Sequence, residues 1–254
     1  MKILSYNVNG MRAALKKNLV GYLKDSQAHV VCIQELKALQ EQVEMEEIES
    51  IGYKHYWFSA QKKGYSGVGI WSKVEPKHIE YGCGHELFDF EGRVIRADFE
   101  ECSVISAYFP SGTTGDVRQD IKYEFLEYFF EYIEDLRKTI PNLIICGDYN
   151  ICHKAIDIHN PVSNKNSSGF LPEEREWMDQ WFENGMVDSL RKYNPEPDLY
   201  TWWSYRANAR ANNKGWRIDY ISVTEELESK IQASGVDAHA VHSDHCPIWL
   251  VMDS

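Results

Sequence analysis

Apolar residues along the chain fall into short runs separated by polar segments, a pattern typical of alternating strands and helices. Runs rich in β-branched and aromatic residues predict strands over 2–6, 29–34, 54–59, 67–72, 93–99, 104–109, 143–146, 217–222 and 248–252. Apolar residues spaced three and four apart predict helices over 11–25, 40–51, 118–138, 172–184 and 225–234. Because several strands follow one another closely, we expect mixed sheets covered by helices.

Composition fits an ordinary globular chain. Hydrophobic residues make up 43% and charged residues 26% of the 254 residues. We find no linker, repeat or low-complexity tract, so one domain over 1–254 is the simplest interpretation. The six cysteines lack zinc-type spacing and several lie in apolar runs, which is typical of free buried thiols. An apolar signal region and a run of about 18 apolar residues are absent, so we expect a cytoplasmic protein with no membrane partner.

The net charge of −12 argues against a nucleic-acid partner, because such binding relies on Lys and Arg displacing counterions from phosphates. The sum says little about one face of the protein, however. Acidic runs at 41–49 and 124–135 have the pattern of solvated helix faces, and a metal-binding enzyme must itself supply carboxylates.

Polar side chains stand at the ends of predicted strands in four separate places, where a rigid strand fixes them and a loop leaves them accessible. They are Asn7 and Asn9, Glu35, Asp148 and Asn150, and Asp244 and His245. Taken singly, each also fits a turn, a cap or a solvated strand end.

Taken together, these residues favour metal-assisted phosphodiester hydrolysis by water. Carboxylate and amide oxygens are ligands that Mg²⁺ prefers. Asp148 can orient or deprotonate a water, and the Asn150 amide can donate to a non-bridging oxygen. We expect an extended segment from Asp148 to Asn150 that projects both side chains to one side. His245 adds a hydrogen-bond donor or proton carrier.

Several blocks of the sequence resemble the exonuclease III family of abasic-site endonucleases, within the DNase-I-like superfamily. They run in family order over essentially the whole chain. The blocks are 1–13, Gln34-Glu35, 64–73, Gly147-Asp-Tyr-Asn150, Asn160 to Phe170, Asn208-Ala-Arg210, Gly215-Trp-Arg-Ile-Asp-Tyr220 and Ser243-Asp-His-Cys-Pro247. The blocks at Asp148 and His245 are shared across the superfamily, whereas Gly-Trp-Arg-Ile-Asp-Tyr is much narrower.

The resemblance implies a four-layer α-β-β-α sandwich of two mixed sheets flanked by helices. It implies Glu35 as the principal Mg²⁺ ligand, with Asn7, Asn9 and Asp244 nearby and Mn²⁺ as a possible substitute metal. It further implies that Asp148 activates water and that Asn150 holds the phosphate. The implied roles of the remaining catalytic residues are a phosphate or leaving-oxygen contact for Tyr108, scissile-phosphate binding for His245, and orientation of that imidazole by Asp219.

For DNA binding, the resemblance implies an apolar pocket for a baseless deoxyribose, walled by Trp202, Trp216 and Ile218. We expect Trp203 to be a buried core residue. Further expected DNA contacts are Arg12, Ser111, Asn164 and Ser167, with Lys16, Lys17, Arg118 and Lys122 as looser backbone candidates.

Three departures from the family pattern affect the expected contacts. Ser111 and Ser167 stand where some members carry Asn, and a Ser hydroxyl donates one hydrogen bond where an Asn amide donates two. Asn9 stands where some relatives have Asp, which removes one negative charge from the expected metal site.

We therefore expect a magnesium-dependent endonuclease that cuts 5′ to abasic sites in double-stranded DNA during base excision repair. The same site would also remove blocks from 3′ ends and degrade 3′ termini as a 3′–5′ exonuclease, and we expect a monomer. One rival is a superfamily phosphatase or phosphodiesterase acting on a small molecule or lipid headgroup, which the Trp- and Arg-rich stretch at 202–217 disfavours. A second rival, a catalytically inactive nucleic-acid-binding or scaffold protein, is disfavoured by the complete set of catalytic residues.

Overall fold

Two six-stranded mixed sheets form the centre of the protein in a computed structural model that describes residues 1–253. In chain order, β1 to β12 are Lys2–Asn7, Val30–Gln34, Lys54–Phe58, Val68–Ser72, His78–Tyr81, Val94–Asp98, Ser103–Tyr108, Leu143–Asp148, Met186–Asp188, Asp219–Thr224, Ile231–Val236 and Ile248–Met252. The first sheet has the order β11-β12-β1-β2-β4-β3 and the second has the order β5-β6-β7-β8-β10-β9. A parallel pair lies near the middle of each, β1 with β2 and β7 with β8.

The helices cover the outer faces of these sheets. In chain order, α1 to α8 are Met11–Leu15, Leu19–Ser26, Glu46–Ser50, Glu86–Phe90, Asp116–Arg137, Pro161–Asn164, Pro172–Glu183 and Ser189–Tyr193. Three short 3₁₀ turns lie at Gln40–Gln42, Ala155–Asp157 and Glu225–Lys230. Within residues 1–253, every helix is too short or too polar to cross a bilayer.

Three apolar cores separate the layers. Side chains from the facing surfaces of both sheets, such as Ile70 and Ile144, form the middle core. Helices α1 to α3 pack on the outer face of the first sheet, and α5 and α7 pack on the outer face of the second. The arrangement confirms the expected four-layer sandwich.

Local predictions were less accurate than the layer order. The helix predicted over 11–25 is two helices, because Asn18 adopts a left-handed backbone with φ of 66° and interrupts it. The prediction of a helix over 40–51 was wrong for its first half, where a 3₁₀ turn replaces it. The helix predicted over 225–234 was also wrong: its second half is β11, which pairs with β12 along the sheet. The short strands β5 and β9 were missed.

All six cysteines are buried as free thiols. Even the most exposed among them, Cys83 and Cys102, are only 8% exposed, and burial raises the pKa of Cys83 to about 12 and of Cys102 to about 11. Because the thiolate is the reactive form, we expect no cysteine of the native protein to react with Ellman's reagent at pH 8. Denatured protein should release six equivalents, whereas rapid labelling of native protein would show that one of these core regions opens.

Candidate active site

Strand pairing brings the predicted catalytic residues to one edge of the sandwich. In the parallel pair β1–β2, Asn7 lies opposite Gln34, directly before Glu35. In the other sheet Asp148, at the end of β8, lies opposite both Tyr108 of β7 and Asp219 of β10. The two sheets therefore present these side chains towards each other at the same end.

Asn7 joins the two sheets at this edge. Its buried Nδ2 donates to Glu35 Oε1 and to Asp148 Oδ2, each at 2.9 Å. Its Oδ1 accepts from the Asn9 amide at 2.9 Å. The opposite amide orientation would point an oxygen at two carboxylates, so charge supports this one. Asn7 thus holds the carboxylates by donation, which differs from the oxygen-ligand role expected of it.

A lysine that the sequence reasoning missed lies beside Glu35. Lys37 Nζ contacts Glu35 Oε2 at 2.6 Å and donates to Asn9 Oδ1 at 2.5 Å. Asn9 in turn donates to Asp244 Oδ1 at 2.9 Å. The two-residue spacing of Glu35 and Lys37 after a buried strand was the available signal. The Lys37 ammonium balances part of the negative charge of the carboxylates at this edge.

His245 is buried between two carboxylates. Its Nδ1 lies 2.9 Å from Asp219 Oδ2 and its Nε2 lies 3.8 Å from Asp148 Oδ2. Burial alone would lower the pKa of His245, but the charges of Asp219, Asp148 and Asp244 outweigh it and raise the pKa to about 10. The imidazole is therefore held as a cation that faces Asp148.

Asp148 carries a strongly perturbed carboxyl group. Burial and the charge of Asp219 raise its pKa to about 8, against the opposing charge of His245. Asp148 Oδ1 accepts from the Asn150 amide at 2.8 Å, while Oδ2 accepts from Asn7. A carboxylate that accepts a hydrogen bond at each oxygen and whose pKa lies near neutral pH can orient a water and accept its proton.

Asn150 does not continue an extended segment, and that prediction was wrong. Its backbone is left-handed, with φ of 53°, a conformation that Asn tolerates better than most residues. Asn150 Nδ2 donates to Phe109 O at 2.9 Å, which leaves the second N–H of that amide able to donate elsewhere. The side chain still lines the same cavity as Asp148.

Tyr108 lines the cavity as well. Burial, followed by the charges of Glu35 and Asp148, raises the pKa of Tyr108 well above its usual range, so its hydroxyl stays protonated and can donate. Arg93, which the sequence reasoning missed, donates from Nη1 to Tyr108 O at 2.8 Å, and its guanidinium lies 5.0 Å from the Tyr108 ring centre. Arg118 and Arg93 both pair with Glu91.

A cavity of about 780 Å³ opens beside this edge. Its apolar wall is formed by Trp202, Trp216 and Ile218, which pack with the buried Phe170. The two Trp rings stand at 84° with centroids 6.0 Å apart, and Trp202 Nε1 donates to Asp244 Oδ2 at 3.1 Å. The structure therefore places the predicted pocket residues against the catalytic edge. Trp203 is buried in a separate cluster, as predicted.

The remaining DNA-binding candidates are distributed around the cavity. Ser111 and Ser167 line it. Arg12 lines a smaller neighbouring cavity with Lys16 and Lys37. Asn164 does not line the main cavity in the described residues; its Nδ2 donates to His159 O and Asn160 O within its own loop.

Lys122 was predicted as a DNA backbone contact, and that prediction was wrong. Its side chain is fully buried and pairs with the equally buried Glu174. Arg118 is partly exposed but engaged by Glu91 and Tyr65.

The donor set at this edge fits a divalent cation. Within residues 1–253, carboxylate oxygens of Glu35 and Asp148 lie within 4.8 Å of each other, and a ring nitrogen of His245, which as a cation donates rather than binds a metal, lies within the same distance. Asp219 Oδ1 is buried without a partner, and Asp244 remains ionised because the charge of His245 and hydrogen bonds from Asn9 and Trp202 outweigh burial and lower its pKa. Hard carboxylate oxygens of this kind suit Mg²⁺ or Mn²⁺.

A buried ion pair supports the segment directly before β10, which carries part of the pocket wall. Arg217, between Trp216 and Ile218, contacts Asp157 at 2.7 Å, and Arg191 contacts it at 2.5 Å. Burial would raise the pKa of Asp157, but these guanidinium groups lower it from 3.8 to about 2.

Breaking this pair should destabilise the fold. Because the folded-state pKa of Asp157 is depressed, its stabilisation is present above pH 4 and is lost as the pH falls through 2. We expect Asp157→Asn to lower the free energy of unfolding by about 3 kcal/mol at pH 7 and by less at pH 3, measured by urea denaturation. Asp135→Asn, which removes an exposed pair with Lys138, is the control. Equal stability of Asp157→Asn and the wild type at pH 7 would contradict this.

Comparison with known proteins decides the family. A model described as Endonuclease/Exonuclease/phosphatase family matches residues 4–245. The chain belongs to this family. It is 42% identical to an exodeoxyribonuclease of Bacillus subtilis (strain 168), over all of both chains.

Two solved structures superpose on this chain over the full length of both chains. An AP endonuclease from Archaeoglobus fulgidus is 32% identical with a TM-score of 0.90. A 3′-5′ exonuclease from Neisseria meningitidis is 28% identical with a TM-score of 0.92. The chain is thus similar both to a protein named for endonuclease action and to one named for exonuclease action.

Proposed function

We propose that the protein is a Mg²⁺-dependent endonuclease that hydrolyses the DNA phosphodiester 5′ to abasic sites. The products are a 3′-hydroxyl and a 5′-deoxyribose phosphate, and the same site removes blocks from 3′ ends. The proposed biological role is base excision repair, with the protein acting as a monomer.

The observation that carries this proposal is the apolar wall of Trp202, Trp216 and Ile218 beside Asp148 and His245. A sugar without a base presents a small and largely apolar face, which packs against such a wall when it is turned out of the helix. A normal nucleotide brings a base into the same space. Relatives named as AP endonucleases and exodeoxyribonucleases support the assignment to DNA.

In the proposed reaction, Asp148 orients the attacking water and accepts its proton. The imidazolium of His245, held by Asp219, and the free N–H of Asn150 donate to the non-bridging oxygens as negative charge develops. Tyr108 donates to the phosphate or to the leaving 3′-oxygen. Glu35 and neighbouring oxygens would hold Mg²⁺, which would supply charge neutralisation at the phosphate.

A second candidate function is hydrolysis of a small phosphate ester or lipid headgroup, since the family description includes phosphatases. To separate the two, the wild type is incubated with duplexes that carry one tetrahydrofuran abasic analogue, with undamaged duplex, with a 3′-phosphate nick, and with an inositol phosphate and sphingomyelin vesicles. Each reaction is repeated in EDTA. We expect metal-dependent turnover of the damaged duplexes well above that of undamaged duplex. Turnover of the inositol phosphate or lipid with intact DNA would overturn the proposal.

A further inference from the structure

A fully buried ion pair lies directly behind the cavity. Lys122 of α5 and Glu174 of α7 contact each other at 2.5 Å, and both side chains are 0% exposed. Burial lowers the pKa of Lys122, against the charge of Glu174. Burying two charges is costly, and well-packed apolar residues often serve stability equally well. Stability alone therefore does not explain the buried pair, and its other hydrogen bonds indicate what else it does.

Those hydrogen bonds lead to the backbone of the site. Lys122 Nζ donates to Asn150 O at 2.8 Å. Glu174 Oε2 accepts from the Gly169 amide at 2.7 Å and from the Leu171 amide at 3.0 Å. The pair thus holds Asn150, two residues after the end of β8, and the loop on the other side of the cavity.

Gly169 links this ion pair to Trp216 in the apolar wall of the cavity. A Cβ at Gly169 would lie 2.9 Å from Trp216 Cζ3 and 3.1 Å from Asn150 O, so the chain passes tightly between the pocket wall and a catalytic residue. Its φ of 94° is accessible mainly to glycine. A side chain at position 169 would therefore displace the Trp216 ring or the Asn150 peptide.

Gln119 extends the contact to the cavity lining. Its Nε2 donates to Glu174 Oε1 at 3.1 Å, and its Oε1 accepts from Ser168 Oγ at 2.6 Å. Gln119 and Ser168 both line the cavity. The two helices and both cavity loops are therefore held by one connected set of hydrogen bonds.

We propose that Lys122 and Glu174 are positioning residues for phosphodiester cleavage. Their ion pair holds the left-handed Asn150 peptide and the Gly169 turn so that the Asn150 amide and the Trp216 ring meet the substrate in one fixed geometry. Neither residue touches the substrate. A left-handed non-glycine residue is sparsely populated and persists where surrounding contacts fix it, which is the role of the Lys122 ammonium at Asn150 O. This inference rests on the proposed function only in taking a phosphodiester as the cleaved group.

The test uses the double variant Lys122→Met/Glu174→Gln, which removes both charges and leaves no unpaired buried ion. The single-turnover cleavage rate of abasic duplex in Mg²⁺ and the dissociation constant of the same duplex in EDTA are measured separately, with thermal melting as the folding check. We expect the rate to fall roughly 30- to 100-fold, because small displacements of catalytic groups have effects of that order. The dissociation constant should change by less than about threefold. A purely structural role would lower the melting temperature but leave the rate of the folded fraction unchanged, and that result overturns the proposal.

Arg96→Met/Asp98→Asn is the matched control, because it removes a largely buried ion pair of β6, in the sheet that α5 and α7 cover, and the contacts of that pair do not reach the site. It should keep the wild-type rate. Gln119→Ala provides a second test if the double variant does not fold. We expect this variant to cleave abasic duplex roughly tenfold more slowly than the wild type with unchanged duplex binding. A wild-type rate would count against the proposal. If the wild type leaves abasic duplex intact but degrades 3′ ends, the proposed function fails while the positioning role is tested on 3′-end cleavage.

Discussion

Replacing Asp148 with Asn should lower the single-turnover rate of abasic-site cleavage by about 10³- to 10⁴-fold, the upper range for removal of a positioned general base. Both oxygens of Asp148 accept hydrogen bonds, from the Asn150 amide and from Asn7 Nδ2. The amide of Asp148→Asn cannot accept a proton, and it must turn an N–H towards one of these donors. We expect the rate of the chemical step to fall while duplex binding in EDTA is retained.

Asp98→Asn provides the comparison, because Asp98 is a partly buried carboxylate of the same sheet that lies in an ion pair outside the cavity. It should cleave at nearly the wild-type rate. Rapid-quench kinetics with excess enzyme measures both variants. A loss of less than tenfold in Asp148→Asn, with normal melting, would show that another group activates the water.

Replacing Glu35 with Gln should have the second-largest effect. Glu35 Oε1 accepts from Asn7 and Oε2 pairs with Lys37, so the amide of Glu35→Gln keeps the size of the side chain but removes its charge and turns an N–H towards one of these donors. Because metal charge at a phosphate is worth several kcal/mol in the transition state, we expect the maximal rate to fall by about 10²- to 10³-fold. The Mg²⁺ concentration for half-maximal rate should rise.

A Mg²⁺ titration of the cleavage rate separates the two parts of this expectation. Glu100→Gln, which neutralises an exposed carboxylate paired with Lys77, should leave the titration unchanged. If Glu35→Gln followed the wild-type Mg²⁺ curve at full rate, Glu35 would have no part in holding the metal.

The sequence identified much of the site because its residues directly follow buried strands. Asn7, Glu35 and Asp148 each end an apolar run, and such runs predict strands whatever their partners are. The order of the layers followed from the resemblance. The pairing of Asp148 with Asp219 across β8 and β10 could not be predicted from the sequence, because strand register depends on contacts between distant segments.

Errors arose where long-range packing overrides local preference. The 225–234 segment has helical composition, yet its second half becomes β11 because β12 offers an unpaired edge. Lys122 was predicted as a DNA backbone contact because it follows the Tyr108 loop, and lysines are rarely buried unless they are paired. It lies on the same helix face as Phe125, Leu126 and Phe129, and that spacing was a usable sign of burial. Its partner Glu174 is 52 residues away, and no local pattern connects the two.

The most direct test of the central claim is incision of a duplex whose four ends are blocked and which carries one internal tetrahydrofuran abasic analogue. Blocked ends remove terminal degradation from the readout, and products are mapped at nucleotide resolution in Mg²⁺ and in EDTA. We predict a single Mg²⁺-dependent break on the 5′ side of the analogue, with a 3′-hydroxyl on the upstream fragment and a phosphate on the abasic residue. An intact strand, or breaks distributed equally over undamaged positions, would contradict assignment as an abasic-site endonuclease.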